Sequence, residues 1–318
     1  MEIADKYSNS EFKNNVYTHI ANYTKKSWGD SMLLFSSTLI IYHFCMFYGN
    51  IYMTPFLSLI LVKLFIIFHD MGHGSFFPNK KMNYIVATLI GPLVTTPISF
   101  WKKSHNYHHV NSNKINMPQH GQTAVWDNIK YKESSNYSRF FYKFCYGKFT
   151  LFTVNPVIYF LIINRFLSKW YELILQFVYW YILYKYIDPS QYIYIIISIW
   201  LSGVIGFILF HVQHTFDGVY REHANEDWSY FKNGMLGCSY LQLPKILHFF
   251  ALNIQYHHIH HLNSNVPCYN LKQCHEDWPE LFSDVPRVYL SDIPRLLKYS
   301  IFNSKTKKFE DVYQYKDD

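Results

Sequence analysis

Apolar residues along this chain fall into long, nearly unbroken runs, and the polar stretches between them are rich in histidine. Met32 to Tyr48 is one run and Ile51 to Phe68 the next, with only Gly49 and Asn50 between them. Each is close to the length that crosses about 30 Å of hydrocarbon at 1.5 Å per residue, so the pair predicts a helical hairpin. Lys63 is the one charge in the second run and is expected to snorkel or to face the bundle interior. Leu173 to Tyr186 and Tyr192 to Phe210 predict a second hairpin, turning at Asp188, Pro189 and Ser190. Phe149 to Phe166, with Pro156 and Arg165, suits either an interfacial or a spanning helix. Tyr84 to Phe100 carries Pro92 and Pro97 and reads as interfacial or re-entrant, because proline breaks a helix.

These runs predict an all-α integral membrane protein with four transmembrane helices in two hairpins. An even number of spans puts both histidine-rich segments on one side, as a helical cap. Lys25 and Lys26, Lys80 and Lys81, and Lys102 and Lys103 lie on that side, which the positive-inside tendency makes cytoplasmic. The expected division is a polar cytoplasmic N-terminal segment over residues 1–30, a membrane domain over 31–290 and a polar C-terminal tail over 291–318. Residues 1–30 carry no basic stretch followed by an apolar one, so no cleavable leader is expected there.

Composition sharpens the picture. Of 318 residues half are hydrophobic, a fifth aromatic and only 16% charged, against about 25% in an ordinary soluble chain. That excludes a disordered chain. The mean hydropathy of −0.08 is low for a membrane protein because Tyr, His and Asn are numerous and the apolar residues are bunched. The net charge of +7 comes without a Lys/Arg-rich tract, so no nucleic-acid partner is expected. Five cysteines without a C-x-x-C pair argue for free thiols in a reducing compartment rather than a disulfide framework.

The 17 histidines are clustered. His69 and His73 follow the second apolar run in F-H-D-M-G-H-G-S-F-F, four residues apart and therefore on one face of a continuing helix. S-H-N-Y-H-H-V supplies His105, His108 and His109. The fourth run ends with His211 and His214. N-I-Q-Y-H-H-I-H-H-L supplies His257, His260 and His261, with His258 left over. At this histidine content about 0.05 H-x-x-H-H matches are expected by chance, and two are present. A set of neutral imidazoles on one side of a membrane is useful mainly as a ligand set. Nine are too many for one ion and suit two, with few carboxylates among them. Such a site at the bilayer surface points to a substrate with an acyl or isoprenoid tail.

With these residues the chain resembles the membrane-bound fatty acid desaturase family, whose pattern is H-x-x-x-H, then H-x-x-H-H twice, on four spanning helices. His69 and His73; His105, His108 and His109; and His257, His260 and His261 match the three boxes. His214 looks like the further histidine that members supply after the fourth helix. H-D-M-G-H-G-S-F-F and H-H-I-H-H-L-N-S-N-V-P-C-Y-N-L are similar to stretches of the acyl-lipid omega-6/delta-12 and omega-3 members. Met71 departs from the Cys or Ala common there, and His211 and His258 compete with His214 and His257 as ligands.

The resemblance implies O2-dependent insertion of a cis double bond into a membrane-lipid or thioester-linked fatty acyl chain, by two Fe ions bound through the nine histidines. It implies an outside electron donor, cytochrome b5 or ferredoxin, steered by the basic face. The expected site is the cytoplasmic face of the endoplasmic reticulum or of a bacterial inner membrane. Asp70 is expected to orient a ligating imidazole, as are Asp217 and Glu222, while Asn253 and Gln213 are expected to hold a metal-bound water. Gly72 is expected to allow close packing near the metals. Trp101 is expected in an interfacial aromatic belt. His19, His43, His120, His223, His248 and His275 match no box. The rival readings are a related alkane or carotenoid hydroxylase, a sphingolipid desaturase and, more distantly, a metal transporter, which would need polar residues inside the spans.

Overall fold

A computed structural model describes residues 6–115, 117, 125–224 and 228–316. His120 therefore lies outside the described residues. The elements in chain order are α1 (Ser10–Ala21), α2 (Trp28–Tyr48), α3 (Thr54–His73), α4 (Lys80–Ile90), α5 (Ile98–Asn111), α6 (Asn128–Glu133), α7 (Asn136–Tyr146) and α8 (Thr150–Phe166). They continue with α9 (Trp170–Tyr186), α10 (Tyr192–His214), α11 (Tyr230–Leu236), β1 (Tyr240–Gln242), α12 (Lys245–Ala251), α13 (His257–Leu262) and α14 (Cys268–Glu276). The chain then ends in β2 (Arg287–Tyr289), α15 (Ile293–Leu296), β3 (Ile301–Asn303) and β4 (Lys308–Glu310).

Three helices among the described residues are long and apolar enough to cross a membrane: α2, α3 with the single turn before it, and α10 with the turn before it. Their roles differ. In α3, 61% of the apolar window is buried inside the molecule, against 28% in each of the other two. Accordingly α3 is the central post, in contact with α2, α4, α5, α10, α12 and α14. The outer helices keep Leu33, Ile40, Phe177, Ile193 and Ile196 exposed. An apolar surface of that extent needs lipid against it.

The expected second hairpin is found in part: α10 is among the three helices above, and α9, with 17 residues or about 25 Å at 1.5 Å per residue, lies at the short end of spanning length. A further candidate is α7 followed by α8, bent by 61° at the break between them. Within α8, π-helical turns over Thr150–Val154 and Tyr159–Ile163 flank Pro156, which has no N–H to close a regular turn.

Local chemistry sets the ends near the histidines. Pro55 opens α3, and Gly74 closes it with φ 74°, donating to the Asp70 and Met71 carbonyls. Ser75 donates both its N–H and its hydroxyl to the Asp70 carbonyl. Pro92 and Pro97 separate α4 from α5, as proline in an apolar run requires. Lys63 faces the interior, 2% exposed, with its ammonium over the Phe249 ring of α12 at 3.2 Å.

The polar segments near both ends of the described residues are packed against the rest. His19 of α1 holds the Cys274 carbonyl at 2.7 Å, and Tyr7 donates to Asp284. Strand β1 pairs with β2 in parallel, and β3 with β4 antiparallel. Residues after 291, read from sequence as a polar tail, bury Ile301, Phe302, Phe309 and Val312. Phe302 and Phe309 share a core with Phe216 and Leu241.

Candidate metal centre

Helix α3 carries His69 and His73 one turn apart at its end. Helix α5 carries His105, His108 and His109, α10 ends on His214, and α13 carries His257, His260 and His261. Gly72 lets α5 dock: a Cβ there would lie 2.4 Å from Trp101. Trp101 is not in an interfacial belt. It is 6% exposed and stacks on His105 with ring centroids 4.5 Å apart. Before α13 the backbone passes through two left-handed residues, Leu252 (φ 43°) and Asn253 (φ 62°), a conformation that non-glycine residues rarely adopt. That double turn aims the short α13 back at α5.

The nine imidazoles form two groups. His69, His73, His105, His109 and His260 make one; His108, His214, His257 and His261 make the other. Within each group one nitrogen per residue lies within 4.8 Å of all the others. Several are closer: His105 Nε2 to His109 Nε2 3.0 Å, His109 Nε2 to His260 Nε2 3.0 Å, His108 Nε2 to His214 Nε2 3.1 Å and His214 Nε2 to His257 Nε2 2.9 Å.

These spacings fit a shared cation. Two imidazoles bound to one ion at about 2.0–2.1 Å each place their nitrogens about 3 Å apart at a right or tetrahedral angle. Buried nitrogens left without a protein partner say the same: His73 Nε2 and both ring nitrogens of His261 have none. Burial, reinforced by neighbouring imidazoles, pushes His105, His108, His109, His257, His260 and His261 well below the usual histidine range. Each of those six is therefore neutral at physiological pH, the form in which an imidazole ligates a metal.

Of the residues expected to support the ligands, Asp70 is in place. Its Oδ1 is 3.0 Å from His69 Nδ1, and its Oδ2 accepts from the Cys268 backbone N–H at 2.6 Å. Asp217 and Glu222 are not at the centre. Asp217 pairs with Arg295 and Tyr299, and Glu222 with Lys307, all toward solvent. They follow His214 in sequence, but the chain leaves α10 at Thr215 and carries them away. Gln213 donates to the Ile254 carbonyl at 2.9 Å and also lines the cavity described below; Asn253 donates to the Cys268 carbonyl at 3.1 Å. Both amides brace the backbone around α13.

His211 and His258 stand outside both groups. His211 Nε2 lies 3.0 Å from the Leu296 carbonyl, and His258 Nε2 lies 3.2 Å from His275 Nδ1. His43 and His248 likewise face backbone carbonyls. The sequence reading missed the support behind His214. Its Nδ1 lies 3.8 Å from Sγ of Cys238, the residue after Gly237. Asn113, itself left-handed at φ 61°, donates to the Gly237 carbonyl and to Asn233. No motif marks these residues, because Asn113 follows α5 while Asn233, Gly237 and Cys238 belong to α11 and the turn after it.

An apolar cavity adjoins both groups. It touches His69 and His105 of the first and His108 and His257 of the second, and continues between α3, α8 and α10 past Phe65, Phe160 and Phe207. The arrangement therefore combines two all-imidazole sites with an apolar slot suited to a hydrocarbon chain.

Comparison with known proteins agrees with this geometry. The family model described as fatty acid desaturase matches residues 34–292. The chain is 34% identical over 261 residues to "Fatty acid desaturase" of Bacillus subtilis, covering 78% of this chain and 73% of that protein. It is 23% identical over 242 residues to "sn-1 oleoyl-lipid 12-desaturase" of Synechocystis, covering 69% and 66%. To "sn-1 acyl-lipid omega-3 desaturase (ferredoxin)" of the same organism it is 26% identical, covering 67% and 63%.

Proposed function

The chain belongs to the fatty acid desaturase family, an oxidoreductase family acting on fatty acyl chains, and from that premise we propose its reaction. It introduces a cis double bond of omega-6/delta-12 type into an acyl chain of a membrane lipid or thioester, using O2. The observation that carries this reading is the pairing of two histidine groups with one apolar cavity. The double-bond position draws support from the oleoyl-lipid 12-desaturase named above.

Two irons would be held by His69, His73, His105, His109 and His260, and by His108, His214, His257 and His261. Bound there, they would supply O2 reduction and hydrogen abstraction from adjacent methylenes. The residues do the rest. Asp70 fixes the ring of His69 through Nδ1, and Cys238 Sγ sits against Nδ1 of His214. Trp101, stacked on His105, closes one wall against water. The apolar lining holds the chain beside His69 and His257. Overall, the two hydrogens lost from the acyl chain, two electrons from a donor and two protons from water reduce O2 to two waters.

The donor is ferredoxin or cytochrome b5, and a ferredoxin-dependent relative favours the first. It docks on the basic face with Lys80, Lys81, Lys102 and Lys103, which we place in the cytoplasm of a bacterial inner membrane or at the endoplasmic reticulum. The deciding experiment is fatty-acid methyl ester profiling of yeast expressing the chain, beside a His108→Ala, His109→Ala control. New dienoic acids absent from the control support the reading. A hydroxylated lipid, or no new lipid from an iron-loaded protein, overturns it.

A further inference from the structure

The cavity runs deep below the histidines. On α3 its lining reaches Leu61, eight residues before His69, and on α10 it reaches Ile199, fifteen residues before His214. At 1.5 Å per residue the α10 wall is about 22 Å long. Gly203 and Gly206 both belong to it, and their surroundings differ. A Cβ at Gly203 would meet Pro156 at 3.1 Å and Phe160 at 3.4 Å, so that glycine lets α8 pack closely. A Cβ at Gly206 would meet nothing within 4 Å. Glycine weakens a helix interior relative to alanine, and no packing contact accounts for it at 206. What it leaves is room, about 12 Å below His214 along the helix.

We propose that Gly206 sets how far the acyl tail extends past the histidine groups, and so selects the length of chain beyond the carbons that react. The inference rests on the acyl-desaturase reading. A tail passes Gly206 and continues to the wall near Ile199 and Leu61. A side chain at 206 projects into that path and stops the tail partway. Each methylene excluded from an apolar pocket costs roughly tenfold or more in discrimination.

The test is binding of saturated fatty acids of graded length, decanoic to eicosanoic, to the purified full chain. The readout is displacement of a fluorescent polyene fatty acid. Wild type, Gly206→Ala and Gly206→Leu are compared. Gly206→Leu is expected to lose about tenfold or more in affinity for the longest acids while keeping that for the shortest. Gly206→Ala moves the same way by less, which keeps the test decisive if the leucine variant does not fold. Equal weakening at every length, or no change, overturns the proposal. Lipid profiles of expressing cells separate the two readings. Double bonds formed with an unchanged length profile in a folded Gly206 variant sink the gauge alone. A shifted binding profile without unsaturated product sinks the desaturase reading alone.

Discussion

Two neighbouring regions of the molecule bury histidine side by side and use it differently. In the nine-residue centre, imidazole nitrogens face one another about 3 Å apart, and several have no partner in the protein. In the region around it, His19, His211 and His248 each reach a backbone carbonyl, and His258 pairs with His275. Burial does not separate the regions: His211 is 1% exposed and His214 2%. The difference lies in what the ring nitrogens meet. In the outer region one ring nitrogen of each histidine meets a carbonyl or a second histidine, whereas in the centre four or five imidazoles converge on one another, an arrangement that suits a cation.

The largest effect expected from breaking this contrast is at the centre itself. His260→Ala, which removes a nitrogen of the five-membered group, should cost bound iron and on the order of 100-fold or more in desaturation. His211→Ala should keep its iron. Iron content by plasma emission spectrometry beside product formation checks both, and an iron-free His211→Ala would erase the distinction. Asp70→Asn comes next. It retains shape but loses the charge on His69, and should lower iron affinity by about 10–100-fold, measurable by competition with a chelator.

A third test concerns the outer pair. Burial, helped by the positive charge of Arg287, pushes His275 down to about 4. Tyr240, Tyr256, His258 and Phe282 surround its ring. The unfolded chain then takes up a proton that the folded chain refuses. Stability from this group is complete above about pH 6.5 and is lost as pH falls toward 4. His275→Gln should flatten the acid limb of the stability curve by up to one proton, read by thermal unfolding of metal-free protein in detergent. The smallest effects are expected at Asp217→Asn and Glu222→Gln. These break exposed ion pairs worth under about 1 kcal/mol and should leave iron and activity unchanged.

How much of this was readable beforehand follows from the range of each signal. The helices α2, α3 and α10 come from unbroken apolar runs, which are local. The one-face arrangement of His105, His108 and His109 comes from helical spacing, also local. Between His211 and His214 the sequence offered only position, because the deciding carbonyl belongs to Leu296, more than eighty residues away. Asp217 and Glu222 misled because nearness in sequence to His214 stops meaning nearness in space once α10 ends. Helix α9 has the composition of a span, and its 17 residues put it at the short end of the length that crosses a bilayer. Trp101 resembled a belt residue until Gly72 was seen to make a socket for it.

Asp70 uses its two oxygens on different parts of the chain, one on His69 and the other on the first N–H of α14. Helix α14 has no side-chain cap of its own, so this carboxylate serves as one from about two hundred residues away. One group thus touches both the start of α14 and the ring of His69. By linkage, a cation that stabilises one must stabilise the other. If the proposed irons bind at His69, protein prepared without iron is expected to lose its C-terminal third to added protease sooner than iron-loaded protein.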